Sequence, residues 1–178
     1  MIKKWQTKKS TEVFRTKWFS ILKDDCLTSD GNRIKDFYVI NSPNGAMVVP
    51  ITDSGEVILV NQFRQSVKKF SLECPAGFMD KGESFLKTAK RELLEETGYS
   101  FKEIKKLGEF YSYSSKLTTK VGIFVATGCT KTKSQSLDGG ENLDVEVVSL
   151  KKINKLIESG KINSMDSVLA LKMAIETL

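Results

Sequence analysis

Four glutamates, Glu83, Glu92, Glu95 and Glu96, crowd the stretch 77–99, GFMDKGESFLKTAKRELLEETGY. From Ser84 to Thr97 the residues are good helix formers, with Glu83 near the N-terminus and Gly98 placed as a stop, so the spacing predicts one well-delimited helix. At about 100° per residue, Phe85, Leu86, Ala89 and Leu93 form an apolar stripe about 100° wide, and Glu92 and Glu96 fall within about 20° of its edge. Glu95 lies further round, beside Arg91, while Lys87 and Leu94 take the opposite face. Carboxylates at i, i+3 and i+4 repel one another by several tenths of a kcal/mol per pair in an isolated helix, and by more when partly buried. A bound cation offsets that repulsion. Hard divalent ions, Mg²⁺ or alternatively Mn²⁺, take one or two carboxylates together with waters and phosphate oxygens, which is the chemistry this cluster offers. The spacing excludes an EF-hand calcium loop, and the competing reading is a surface helix with intrahelical Glu–Lys and Glu–Arg pairs.

The chain contains no histidine. That excludes serine–histidine and cysteine–histidine nucleophiles, histidine-bound zinc and any imidazole base. Acid–base chemistry must then use carboxylates, lysine, tyrosine or cysteine.

The elements that would position the acidic helix follow from periodicity. Val13 to Leu27 and Ile34 to Ile40 read as strands around the turn Ser29-Asp30-Gly31-Asn32, and Ala46 to Thr52 and Glu56 to Gln62 as strands around Asp53-Ser54-Gly55. The second pair, AMVVPIT and EVILVNQ, is apolar enough to lie centrally in a sheet. Further strands are expected at Lys106 to Ser112, Lys120 to Thr127 and Asp144 to Ser149, with CTKTKSQSLDGGEN as a long, mobile loop. Two helices close the chain: Lys151 to Ser159, stopped by Gly160, and Met165 to Thr177, capped by Ser164 and carrying Val168, Leu171, Ile175 and Leu178 on one stripe. This order predicts an α+β class, a mixed sheet covered by helices on both faces.

Length and composition agree with one folding core, since 178 residues suit a single domain and 40% apolar residues, about 47% once the 12 glycines are added, lie in the globular range. Twenty-eight Lys and Arg against 22 Asp and Glu give a net charge of +6. The lysines come as scattered pairs with no long basic run and no interleaved aromatic signature, which points to a solvated surface rather than a nucleic-acid binder. Cys26, Cys74 and Cys129 are odd in number and far apart, which suits a reducing, cytoplasmic setting. No stretch approaches the roughly 18–20 apolar residues of a membrane span, and the start MIKKWQTKKSTE has no apolar signal core.

Gly77, Glu83, Arg91-Glu92-Leu93, Glu95-Glu96 and Gly98-Tyr99, at these spacings, resemble the complete Nudix box. The resemblance implies a Nudix fold, an α/β/α sandwich in which the box forms a loop–helix–loop holding Mg²⁺, and hydrolysis of a nucleoside diphosphate linked to a further group X. It also implies that Glu92, Glu95 and Glu96 supply the metal site, while Glu83 and Arg91 pair to brace the loop against the helix. Gln62-Phe63-Arg64 and Glu73-Cys74-Pro75-Ala76-Gly77 are similar to segments of the ADP-ribose and nucleoside diphosphate sugar pyrophosphatases, where the carbonyl at the position of Ala76 also binds metal. GENLDVEVVSL resembles their late catalytic loop, making Glu141 the candidate general base or further ligand, with Glu95 as the alternative catalytic carboxylate.

By the same resemblance, residues 1–45 would be additional antiparallel strands for homodimerisation and base stacking, and residues 46–178 the hydrolase domain. Trp18, and secondarily Phe37, would stack on the base, Arg64 would meet the diphosphate, and Gln62 would be a further substrate-binding residue. Ordinary sheet packing and a structural ion pair are the competing roles for these groups. One segment departs from the family: where a proline–glycine turn followed by a polar or acidic residue is usual, this chain reads Tyr113-Ser114-Ser115-Lys116-Leu117-Thr118-Thr119. The implied activity is Mg²⁺-dependent cleavage of a nucleoside diphosphate sugar, ADP-ribose first, to a nucleoside monophosphate and a sugar phosphate. GDP-sugars, dinucleotides or damaged nucleotides as substrates, a nucleotide-binding sensor without turnover, and RNA decapping are the alternatives.

Overall fold

The computed structural model describes residues 3–178 as two compact units. The first comprises the described residues up to Asn44 together with Tyr111–Lys120. Its three antiparallel strands, β1 (Gln6–Arg15), β2 (Ser20–Leu27) and β3 (Arg33–Asn41), follow one another in order. The expected strand Val13 to Leu27 is therefore two strands. A turn divides it, because the Thr16 hydroxyl accepts from the backbone N–H of Trp18 and Phe19, both at 3.1 Å, and the Thr16 N–H donates to the Phe19 carbonyl. Every residue of β1 is exposed. The segment 113–119 folds beside the end of β3: the Ile40 N–H donates to the Lys116 carbonyl at 2.8 Å and the Thr118 N–H to the Ile40 carbonyl at 3.1 Å.

The second unit, Gly45–Phe110 with Val121–Leu178, is built on a mixed sheet. Its strands are β4 (Gly45–Ile51), β5 (Glu56–Arg64), β6 (Lys69–Glu73), β7 (Ala76–Phe78), β9 (Glu103–Tyr111), β10 (Lys120–Thr127) and β12 (Leu143–Ser149), and the short β8 (Tyr99–Ser100) and β11 (Thr130–Lys131) pair separately. β4 is central, parallel to β10 and antiparallel to β5 and β7. β4 and β5 share only the Ile51–Val57 pairing, since β7 takes the edge of β4 at Gly45–Met47 and the Val48 N–H donates to the Pro75 carbonyl. β6 and β7 carried no periodic signal because they are short.

The period-2 alternation of the central strands builds two cores. Ala46, Val48, Ile58, Phe124 and Ala126 face one side, against Ala89 of α1 (Phe85–Glu92) and Leu93 just after it. Met47, Val49, Ile51, Val57, Leu59, Ile123 and Val125 face the other, against α2 (Ile153–Glu158) and α3 (Met165–Ile175). The result is the expected α+β class, a mixed sheet covered by helices on both faces. In α3 the buried residues are Ser167, Ala170, Leu171 and Ala174, while Leu178 is exposed, so the buried stripe is rotated from the expected one. Ser164 is the N-cap residue of α3 but makes no side-chain capping bond. No helix among the described residues is long and apolar enough to cross a membrane.

Candidate active site

The acidic segment starts with a capped helix. The Ser84 side chain accepts from the Lys87 N–H at 3.2 Å, and α1 runs to Glu92 before widening into a π-turn over Leu93–Thr97. Gly98 ends it in the left-handed conformation, φ 74°. The residues withdrawn from water are Thr88, Ala89, Glu92, Leu93, Glu96 and Thr97. Glu92 and Glu96 thus lie inside the buried stripe rather than at its edge, and Leu86 is left 40% exposed. π-turns are rare and concentrate at functional sites.

Room for the Glu92 carboxylate comes from Gly77. A Cβ there would stand 2.0 Å from Glu92 Oε1, so only glycine leaves the space. Glu96 Oε2 accepts from the Ala76 N–H at 3.0 Å. Burial, the charge of Arg91 working against it, and the charges of Glu141 and Glu95 combine to push the Glu92 carboxyl up to about 7. Burial and the charge of Glu92 push Glu96 up to about 8, with Glu141 adding to the rise. Two partly desolvated carboxylates beside the glycine cradle are an oxygen donor set suited to a hard divalent cation.

Arg91 neutralises part of this charge. Its Nη1 donates to Glu92 Oε1 at 2.7 Å and to Glu95 Oε2 at 3.1 Å. Its Nη2 donates to Glu83 Oε2 at 3.1 Å and to the Phe78 carbonyl at 2.9 Å. Glu83 also accepts from the Thr88 hydroxyl at 2.9 Å and from the Asp80 N–H at 3.2 Å. The Arg91 bond holds the Glu83 carboxyl down to about 2, and the pair ties the 78–83 loop to the helix. With Arg91 spanning Glu92 and Glu95, no three acidic or cysteine side chains among the described residues already converge at metal-ligand spacing.

Around this cluster, Arg64 at the end of β5 pairs side-on with the buried Glu73 of β6, and Glu73 is the main cause of its raised pKa, with Glu96 and Glu141 contributing. Glu73 was present in the sequence signal, within the segment quoted before Gly77, but its partner was not readable there. Gln62 lies on β5 opposite Ser71 and Leu143. Glu141 stands in a short turn, its N–H donating to the Asp138 carbonyl and its carboxylate accepting from the Asp138 N–H at 3.1 Å. The loop before it is anchored rather than free over 132–136: the Thr132 and Lys133 N–H groups donate to the Gly98 carbonyl and the Ser136 N–H to the Glu95 carbonyl.

The two aromatic candidates belong to the first unit. Trp18 sits in the β1–β2 turn, 61% exposed, with the Lys17 ammonium 4.4 Å from its ring centroid. Phe37 is half-buried on β3, edge-on to Trp5 at 5.9 Å and under the Lys116 ammonium at 4.5 Å. It lines a cavity of about 370 Å³ with Tyr111 and with Ser114, Ser115 and Lys116 of the departing segment.

A buried acidic helix, braced by an arginine, on one face of an α/β/α sheet defines a Nudix hydrolase. Residues 42–168 match the NUDIX domain, and the chain belongs to that family, whose members use divalent metal ions. Residues 5–40 match the nucleoside diphosphate sugar hydrolase N-terminal domain. The chain is similar to the ADP-ribose pyrophosphatase of Bacillus subtilis (strain 168), 31% identical over 90% of this chain and 87% of that one. It is 28% identical to the methanol dehydrogenase activator of Bacillus methanolicus, over 94% and 90% of the two chains. A crystal structure of an ADP compounds hydrolase superposes with a TM-score of 0.86 and 26% identity, covering 100% of this chain and 96% of that one.

Proposed function

We propose that the protein hydrolyses the pyrophosphate bond of a nucleoside diphosphate sugar, ADP-ribose first, releasing a nucleoside monophosphate and a sugar phosphate. The observation that carries this reading is the pair Glu92 and Glu96, buried in the box helix beside Gly77, together with relatives named for ADP-ribose and ADP compounds. Glu92, Glu95, Glu96 and the Ala76 carbonyl would hold Mg²⁺, or Mn²⁺ in its place. When bound there, such an ion would supply charge neutralisation on the diphosphate oxygens and would lower the cost of deprotonating water.

The chain's own groups do the rest. Glu141 takes the proton of the attacking water, whose oxygen bonds to one phosphorus as the bridging P–O bond breaks and its electron pair leaves with the other phosphate. Arg64 binds the diphosphate while remaining fixed by Glu73, with Gln62 beside it. Arg91 and Glu83 hold the loop and helix in register. Trp18, with Phe37 second, stacks on the base. Residues 1–45 serve dimerisation: every residue of β1 is exposed, and Val13, Phe14 and Trp18 stand at least half uncovered, which a second copy would cover. Three buried free cysteines suit the cytoplasm.

Monophosphate release from ADP-ribose, ADP-glucose, GDP-mannose and dinucleotides, with Mg²⁺ and beside a Glu96→Gln control, tests the proposal. The expected result is turnover of an ADP-sugar that the control abolishes. No turnover on the panel while nucleotide still binds would replace the hydrolase with a sensor. Size-exclusion chromatography with light scattering tests the dimer.

A further inference from the structure

A π-turn at the end of α1 leaves the carbonyls of Glu95, Glu96 and Gly98 without a following helical turn to satisfy them. The chain that returns after β11 supplies the donors. The Ser136 N–H bonds the Glu95 carbonyl at 2.9 Å, the Thr132 and Lys133 N–H groups bond the Gly98 carbonyl at 2.9 and 3.1 Å, and the Gln135 carboxamide nitrogen bonds the Glu96 carbonyl at 2.7 Å. Gly98 allows this approach, since a Cβ there would stand 2.0 Å from the Lys133 carbonyl oxygen.

Gln135 does one thing the backbone donors do not. The same nitrogen also donates to the Leu143 carbonyl at 3.3 Å, and Leu143 is the first residue of β12, paired with Gln62 of β5. One carboxamide therefore links the backbone of Glu96 to the residue at which the Glu141 loop rejoins the sheet. At its other end that loop leaves from Ser136, bonded to Glu95. Both ends of 137–142 are in this way referred to the acidic helix, and the charge of Glu141 is felt at both Glu92 and Glu96.

We infer that Gln135 is a positioning residue: its carboxamide bridge from the Glu96 carbonyl to the Leu143 carbonyl sets Glu141 against the acidic helix for proton removal from the attacking water. This rests on the hydrolase reading above. Gln135 is an exposed residue, so its replacement does not open a core. The substitution Gln135→Glu would keep the shape of the side chain and lose both N–H donors, setting an acceptor against two carbonyls. It is expected to lower kcat about tenfold at nearly unchanged KM, and to speed amide exchange at Ser136 and Glu141 in the metal-free protein, with the rest of the sheet unaffected. The deciding step is a double-mutant cycle with Glu141→Gln: the tenfold effect should vanish in that background, because the group being positioned is gone.

A Gln135→Glu effect that persists in full in the Glu141→Gln background, an unchanged kcat, or a Glu141→Gln variant with normal turnover would each overturn the assignment. A wild-type protein without turnover on the substrate panel overturns the hydrolase reading first. In that event the exchange rates alone still decide whether Gln135 holds the loop.

Discussion

Between Ala76 and Gly98 charge goes inside: Glu83, Glu92 and Glu96 have side chains almost wholly withdrawn from water, answered by Arg91 at Glu83 and Glu92, by Thr88, Lys87 and the Asp80 N–H at Glu83, and by the Ala76 N–H at Glu96. Between Gln6 and Asn41 apolar surface goes outside: every residue of β1 is exposed, and Phe14 and Trp18 stand at least half uncovered. The charge distribution sharpens the contrast. The first unit holds 11 of the Lys and Arg and 5 of the Asp and Glu, which gives 11 − 5 = +6, and the second holds 17 of each. The whole net charge of the chain thus belongs to the unit without the acidic helix. Each stretch carries a local cost, desolvated carboxylates in one and uncovered apolar side chains in the other.

The largest test removes a carboxylate from the buried side. Glu96→Gln should lower kcat by about 10²–10³-fold, the scale of losing a principal electrostatic group at a reacting centre. The metal-free variant should stay folded, because the carboxamide it introduces is never charged; a stability loss as large as the activity loss would make Glu96 structural. Second is the cradle: Gly77→Ala should cost about ten- to a hundredfold in turnover by displacing Glu92, although Ala is the smallest available side chain. Normal turnover would mean that Glu92 has room to move.

The third test is pH. Glu92 and Glu96, raised to about 7 and about 8 from 4.5, keep protons in the folded chain that the unfolded chain has released. Stability of the metal-free protein should therefore fall as pH rises from about 4.5 to about 8. Glu83, held at about 2, works in the other direction, adding stability above pH 4.5 that is lost as pH falls toward 2. Calorimetry in EDTA should show Tm dropping by a few °C between about pH 5 and pH 8, and Mg²⁺ should raise Tm more at the upper end of that range than at the lower. An equal Mg²⁺ effect at both ends would place the ion elsewhere.

The smallest effect lies on the basic sheet. Trp18→Ala should raise KM about fivefold with kcat unchanged, near the lower end of base-stacking energies, and leave Tm within about 1 °C because the side chain is exposed. A fall in kcat instead would show that Trp18 is used in the transition state.

How much of this was legible in the chain depends on the range of the interaction. The box was readable because its residues lie within one loop and one helix: helical spacing sets Glu95 beside Arg91, and the family resemblance implied the Glu83–Arg91 pair. The central strands were readable from AMVVPIT and EVILVNQ, since a strand buried on both faces is apolar throughout. The break at Thr16 was not, because a single hydroxyl accepting two N–H groups reads in the sequence like any threonine within a β-rich run. Leu86 misled for a related reason. The expected stripe Phe85, Leu86, Ala89 and Leu93 follows apolar side chains alone, whereas the structure also buries Thr88 and Glu92 and leaves Leu86 out.

Covalent spacing and backbone periodicity were enough to place the acidic cluster on its helix, to make the central strands two-faced and, with no histidine in the chain, to rule out imidazole chemistry. Folding in three dimensions was needed before Glu73 could hold Arg64, Gln135 could join Glu96 to Leu143, Gly77 could house Glu92, and the entire positive excess could fall in one unit. Those facts depend on residues brought together across 8 to 39 positions of chain, or on a division of the chain into units. Such contacts are set by the closing of the sheet and its loops, which no local pattern encodes.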